Sequence, residues 1–409
     1  MYTEIKNCRV CESGKLSLVL SLGEQYLTGV FPKSKNETIT KGPLDLVWCA
    51  ECGLLQMKQS YSLEEMYGEN YGYRSGLNAS MVRHLQQKVQ SLERMVGLSD
   101  SDLVIDIGSN DATSLKAYSG NHRKVGIDPT GAKFKEHYTT DLMLIPDFFS
   151  AGVFRKAFPD EKARIITSIA MFYDLERPME FIADIVSVLA DDGIWHFEQS
   201  YMPSMLRTNS YDTVCHEHLE FYSFAVVKRM LERSGMRVVD VQMNAINGGS
   251  FAVTACKETA VHASNLPIIN WLLRQEEVMG LGSVTPYLDF AKRVNQHRSS
   301  LTELIESLVA DGKKVVGYGA STKGNVLLQF CGLTAKHITC IAEVNEEKFG
   351  SFTPGTLIPI VSEQEARKMR PDYFLVLPWH FKHSILEREK EFSMTGGKII
   401  FPLPEIEIV

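Results

Sequence analysis

The chain has 409 residues and a formal net charge of -7, with 43 Lys and Arg against 50 Asp and Glu. That length exceeds one ordinary core, so two or three domains are expected, and the acidic balance gives no electrostatic case for nucleic acid or an anionic membrane. No apolar run approaches the roughly 18 residues of a membrane span, and "MYTEIKNCRVC" lacks the charged-then-apolar layout of a signal peptide. A reducing cytoplasm is therefore the expected setting, where paired cysteines point to metal or redox chemistry rather than disulfides.

Residues 1–75 read as a small metal-binding module. "NCRVCESG" supplies Cys8 and Cys11, and "WCAECGLLQ" supplies Cys49 and Cys52. Two knuckles can aim four thiolates at one tetrahedral zinc, a closed structural site with no position left for substrate. A redox dithiol is the weaker alternative, because it needs only one pair. Few large apolar residues are present, so metal would supply much of the module's stability. The module ends in "YGENYGYRSGLNASM". Tyr71 and Tyr73 are candidate substrate contacts in a lid over a polar ligand; the alternative is a tyrosine-rich domain boundary.

Residues 76–258 read as a parallel α/β domain. Met81, Leu85, Val89, Leu92 and Val96 recur at helical spacing, with Asn78 or Ser80 as cap. Leu103 to Ile107 reads as a buried strand, followed by Gly108, Ser109 and Asn110 at the edge where open α/β sheets bind ligands. The next strand, "KVGIDPT", ends in Asp128, a group able to accept both hydroxyls of a ribose. The loop is not GxGxxG. Asp106 before Gly108 would repel a pyrophosphate and suits a ligand with a cationic amino-acid end. This favours S-adenosylmethionine, with Asp106, Gly108, Ser109, Asn110, Asp128 and Asp147 as candidate contacts. Strands follow at "ARIITSIAMF" and "GIWHFEQSY", then "NSYDTVCHEHLEFYS", a helix, and a closing antiparallel pair around "NGG". That ending is typical of methyltransferases and places the His-Glu-His stretch on the ligand edge. His216 and His218 have a poor helical spacing for one metal, which favours acid/base chemistry over a metal cluster.

Residues 259–409 begin with an amphipathic helix, for which Thr285 is the expected N-cap and Pro286 the first residue. "KKVVGYGASTKGN" then repeats the strand-glycine-helix theme. Tyr318, Ser321, Lys323 and Asn325 belong to a loop that can cradle a phosphate. Glu343 ends the next strand, and Trp379 sits at the ligand end of another. This is a second, smaller Rossmann-like domain.

The two CxxC pairs, "VIDIGSNDATSL", "YDTVCHEHLEFYS", "NGGSF", and "GYGASTKGN" with "FTPGTLIPI" together resemble the three-domain C-methyltransferases of nucleotide-linked 4-keto deoxysugars. The likeness covers essentially the whole chain. It implies an α/β fold: a zinc-binding module, a central Rossmann-like methyltransferase domain that takes S-adenosylmethionine, and a C-terminal Rossmann-like domain for the nucleotide sugar. It implies that a base removes the proton beside the 4-keto group, and that the enolate takes the methyl. His218 maps to that base and Glu217 to a sugar contact; for His216 a structural role is expected. Two departures stand out. Cys215 replaces a tyrosine common in the family, and Asp174, beside Tyr173, replaces a histidine. Tyr222, Tyr173 or Tyr73 is the expected substitute donor. The implied substrate contacts are Tyr71, Tyr73, Tyr318, Ser321, Lys323, Asn325, Glu343 and Trp379. Methylation is expected at C3, with C5 or a heteroatom as alternatives, in a monomer or weak homodimer. A non-catalytic zinc-ribbon adaptor that only binds nucleotides is the rival of another class.

Overall fold

A computed structural model describes residues 2–62, 65, 66 and 74–409; Tyr67, Tyr71 and Tyr73 lie outside the described residues. The central sheet has seven strands, in the order Met236–Asn244, Ser250–Lys257, Leu189–Ser200, Ala163–Ile169, Leu103–Ile107, Arg123–Ile127, Leu142–Ile145. Only Ser250–Lys257 runs against its neighbours. Leu103–Ile107 is buried along its whole length, as a strand covered on both faces must be. The Ala79–Val96 helix packs Leu85, Val89, Leu92 and Val96 inward. Asn78 is its cap, accepting from the Ser80 and Met81 amides, and Gly97 ends it with a φ of 66°.

The C-terminal sheet has six strands, in the order Ile360–Ser362, Ile341–Glu343, Val315–Tyr318, Tyr373–Val376, Lys398–Phe401, Glu407–Ile408. All but the last run parallel. The helix before it, Thr285–Ala310, begins with Thr285 already helical, and Val284 takes the cap position without a side-chain bond. No helix among the described residues is long and apolar enough to cross a membrane.

The N-terminal module forms a sheet from Leu16–Tyr26, Lys41–Cys49 and Leu55–Met57. Its fourth strand is Glu220–Phe221, contributed by the central domain and paired antiparallel to Leu55–Met57. The His-Glu-His stretch therefore ends inside the module's own sheet. One apolar core joins Leu46 and Trp48 of the module to Tyr211 and Val214 of the stretch, and on to Phe290, Val316 and Leu327 of the C-terminal domain.

Candidate active site

The ends of the parallel strands open on a cavity of about 370 Å³, within the range of small-ligand sites. Gly108 turns the chain there with a φ of 71°, and a Cβ on it would lie 3.3 Å from Met171. Asn110 and Ala112 follow at φ 50° and 60°, a strained loop of the kind found at ligand sites. The loop is tied to the next strand end: the Asn110 amide donates to Asp128 Oδ2 at 2.7 Å, and the Thr130 amide donates to Asp128 Oδ1 at 2.6 Å. Asp128 thus lines the cavity with a fixed carboxylate. Asp106, also on the wall, accepts from Thr167 Oγ1 at 2.5 Å. Burial pushes its carboxyl up to about 7, against that hydroxyl. A bound cation would hold it ionised, so the wall fits a donor with an ammonium or sulfonium group. Ser109 lines the cavity and hydrogen-bonds the Tyr138 hydroxyl at 2.7 Å.

Asp147 does not belong to this wall. It is exposed and accepts from the amide of Phe148 at 2.7 Å. Phe148 and Phe149 line the cavity in its place, and Phe148 is 51% exposed. Glu198 also lines it and escaped the sequence reading. Its carboxylate is held by His84 Nε2 at 2.7 Å, Lys88 Nζ at 2.5 Å and Asn244 Nδ2 at 2.9 Å. The signal was His84 and Lys88, which share a helical face with Met81 and Leu85 of the same wall.

A second cavity of about 20 Å³ is lined by Tyr173, Thr213, His218, Glu220, Asn247 and Gly248, among others. Tyr173 and Asn247 line both cavities, so the two meet at these residues. His218 Nδ1 lies 2.7 Å from the Thr213 carbonyl oxygen. A carbonyl only accepts, so Nδ1 carries the proton and Nε2 keeps its lone pair. The Tyr173 ring meets the imidazole edge-on at 4.6 Å. Burial lowers His218 to about 4, against the Thr213 carbonyl and with the Lys323 charge adding to the fall. The imidazole is therefore neutral at ordinary pH and able to accept a proton.

Glu217 points the other way. Its Oε1 lies 2.6 Å from where a Cβ on Gly29 would stand, and Thr322 Oγ1 lies 3.8 Å from that same point. Its Oε2 is buried without a hydrogen-bond partner, and burial raises the carboxyl above its ordinary range. An orphaned buried oxygen of this kind fits a polar ligand. His216 is locked to the N-terminal module, near Thr28 Oγ1 at 3.4 Å and the Gln25 carbonyl at 3.3 Å. Cys215 is buried in the core.

Several expected site residues do other work. Tyr222 lies in the core, stacked on Phe172 at 5.3 Å with 12° between the rings, and lines neither cavity. Asp174 does line the larger cavity. Tyr318 is buried and donates to Glu389 Oε1 at 2.9 Å, out of reach as a ligand contact. Glu343 spends both oxygens on the amides of Ala320, Val344 and Asn345, which fixes the glycine loop. Trp379 donates from Nε1 to Asp212 Oδ2 at 2.8 Å and so braces the turn before His218. Asn325 donates to the Thr28 carbonyl at 2.8 Å, tying its helix to the module. Ser321 caps the Thr322–Phe330 helix through the Gly324 amide. Lys323, expected on a phosphate, donates to the Asn247 carbonyl at 3.1 Å.

The sulfurs of Cys8, Cys11, Cys49 and Cys52 all lie within 4.8 Å of one another, with Cys8–Cys52 and Cys11–Cys49 both at 3.5 Å. Tetrahedral zinc with Zn–S bonds near 2.3 Å sets sulfurs about 3.8 Å apart, so the four thiols fit a structural zinc. Arg9, between the first pair, donates to Ser60 Oγ at 2.7 Å and approaches Glu176 at 3.4 Å and Glu220 at 3.7 Å. Glu176 lines the larger cavity and Glu220 the smaller. The metal module thereby braces the wall shared with the His-Glu-His stretch.

Residues 245–404 match the family model of the C-methyltransferase C-terminal domain, and residues 8–67 match that of a zinc binding domain. The C-methyltransferase NovU of Streptomyces niveus is 32% identical over 409 residues, covering 99% of this chain and 97% of NovU. Among solved structures, the mitomycin 7-O-methyltransferase MmcR aligns at a TM-score of 0.35 and 15% identity, over 44% of this chain and 55% of that one. The plantazolicin methyltransferase BpumL, solved with SAH, aligns at 0.34 and 12%, over 42% and 82%. The match to NovU runs nearly end to end in both chains, and the chain belongs to the S-adenosylmethionine-dependent C-methyltransferases of the NovU type.

Proposed function

We propose that this enzyme methylates the carbon beside the ketone of a nucleotide-linked 4-keto-6-deoxyhexose, at C3. The observation that carries the reading is the neutral His218, with Nε2 free to accept, in a pocket that adjoins the donor cavity. A carbon acid beside a ketone needs such a positioned base. S-adenosylmethionine, when bound, supplies an electrophilic methyl group. Asp106 and Asp128 are proposed to face its amino-acid and ribose ends, with Gly108, Ser109 and Asn110 leaving room for it. His218 is proposed to take the proton. The unpartnered Glu217 Oε2 suits a sugar hydroxyl, while Oε1 lies against Gly29. Ser321 and the first turn of its helix are proposed to lie toward the nucleotide. The same reading has the enzyme cytoplasmic and monomeric or weakly dimeric.

The test is product analysis. The zinc-loaded enzyme, S-adenosylmethionine and a panel of nucleotide-linked 4-keto-6-deoxyhexoses are combined, and products are read by mass spectrometry and NMR. A new methyl on C3 is expected. A methyl on C5 corrects the position and keeps the mechanism, because both carbons flank the ketone. A methyl on oxygen or nitrogen contradicts it.

A further inference from the structure

We propose that Lys323 is a catalytic residue whose ammonium group holds the substrate's ketone oxygen as it becomes an enolate. The proposal rests on the carbon-acid reading above and assigns a role which that reading leaves open. Removing a proton beside a ketone puts charge on the oxygen, and a fixed cation or donor there lowers the barrier most.

Of the three tyrosines expected as substitute donors, Tyr222 is stacked in the core and Tyr73 lies outside the described residues. Tyr173 lines both cavities beside His218, but a neutral phenol stabilises a developing oxyanion less than a cation does. Other cations near the cavities are occupied. Lys88 is paired with Glu198, and Arg9 is held by Ser60, Glu176 and Glu220.

Lys323 differs. It stands in the first turn of the Thr322–Phe330 helix, and its Nζ donates to the Asn247 carbonyl at 3.1 Å. Among the described residues no carboxylate pairs with it. An ammonium has three protons, so two are left for a ligand. Asn247 lines both cavities; Lys323 itself lines neither, and its ammonium stands one hydrogen bond behind the Asn247 carbonyl, from where it is proposed to reach a ketone held between base and methyl donor. Its charge adds to the burial-driven fall of His218 and His380 and opposes the burial-driven rise of Asp212.

The loop that receives it is pinned in a costly shape. Asn247, Gly248 and Gly249 have φ of 55°, 90° and 122°. A Cβ on Gly248 would meet Trp379 at 3.6 Å, and one on Gly249 would lie 2.9 Å from Ser204. Strain held by such packing is characteristic of functional sites.

The step balances. His218 Nε2 forms a bond to the proton as the C–H bond breaks, and the electron pair moves onto the ketone oxygen. Lys323 stabilises that oxygen and keeps its own proton. The pair then returns through carbon to form the new C–C bond; the S–CH3 bond breaks and its electrons stay on sulfur. His218 loses its proton to solvent.

The test compares wild type, Lys323→Met and Lys323→Arg as full-length, zinc-loaded enzymes. Calorimetry gives the affinity for the keto-sugar nucleotide. NMR in D2O, without S-adenosylmethionine, gives C–H exchange at saturating sugar. Lys323→Met is expected to slow exchange about 100-fold or more while affinity changes less than about threefold; Lys323→Arg is expected to restore part of the rate. Unchanged exchange at saturation overturns the proposal, whether or not affinity falls; a fall would mark a phosphate anchor instead. A second readout needs no substrate. The His218 titration, followed by NMR, is expected to move upward in Lys323→Met, and an unmoved titration overturns the proposal by itself. If wild type exchanges no 4-keto sugar at all, the carbon-acid reading fails, and with it the enolate role.

Discussion

His218 Nδ1 lies 2.7 Å from the carbonyl oxygen of Thr213, five residues back along the chain. The contact does two things at once. It fixes which ring nitrogen carries the proton, and it leaves the other unprotonated on a residue that lines the smaller cavity. The turn that makes it possible is braced from the C-terminal domain, by Trp379 on Asp212. The strand that follows is braced from the N-terminal module, by Leu55–Met57. Three parts of the chain therefore converge on one imidazole.

The pH profile follows from that burial. His218 is lowered from an ordinary value of 6.5 to about 4. The base must be neutral, and the neutral form dominates above the folded-state value. The acid limb of kcat/KM is therefore expected near pH 4 rather than 6.5, with no fall between pH 7 and 5. Initial rates across that range check it.

Stability responds in the same direction. His216 is lowered to about 4, and His196 and His380 to about 3, each chiefly by burial. Below pH 6.5 the unfolded chain binds protons that the native chain does not. Stability is therefore full above about 6.5 and lost as pH falls toward 4. Urea midpoints at pH 7.5 and 5 are expected to differ, with the lower value at pH 5.

Gly29 leaves room for Glu217. A Cβ there would stand 2.6 Å from Oε1, so Gly29→Ala is expected to push the carboxylate aside. Sugar-nucleotide affinity is expected to fall about tenfold or more, with the affinity for S-adenosylhomocysteine unchanged. Glu217→Gln, which keeps the shape, is expected to lose less. Calorimetry with each ligand separates the two effects.

Cys215 sits where the family resemblance leads one to look for a tyrosine. It is 1% exposed in a packed core. Cys215→Tyr is expected to cost about 1–3 kcal/mol by overpacking, without a gain in rate, whereas Cys215→Ala is expected to be mild. Thermal melts and rates on both variants check this.

The zinc pairs and the His-Glu-His stretch were legible because their chemistry lies in local spacing. The sheet was legible for the same reason: Leu103–Ile107 is a continuous apolar strand punctuated by Asp106 and ended by Gly108. What was hidden depends on which way a side chain turns after the chain has packed. Asp147 and Phe148 are adjacent, yet only Phe148 faces the cavity. Tyr222 lies four residues past His218 but turns onto Phe172. Glu343 and Trp379 sit at strand ends, as read, but their polar atoms are consumed by the loops they hold. The pairing of Glu220–Phe221 with Leu55–Met57 joins segments far apart in the chain, which no local pattern records.

That pairing makes metal removal reach beyond the module. Serine at Cys8 or Cys49, or a strong chelator, is expected to loosen the strand after His218 and abolish activity. Metal analysis of wild type is expected to give one zinc per chain, and circular dichroism is expected to show a lower melting point on its removal. Activity that survives full loss of zinc would separate the module from the site.

The most direct test is deuterium exchange at the sugar carbon, in D2O and without S-adenosylmethionine, for wild type and His218→Gln. Wild type is expected to exchange the proton at C3 of a nucleotide-linked 4-keto-6-deoxyhexose, and His218→Gln to lose that exchange by about 100-fold or more while still binding the sugar. Exchange at the wild-type rate in His218→Gln would contradict the assignment of His218 as the base.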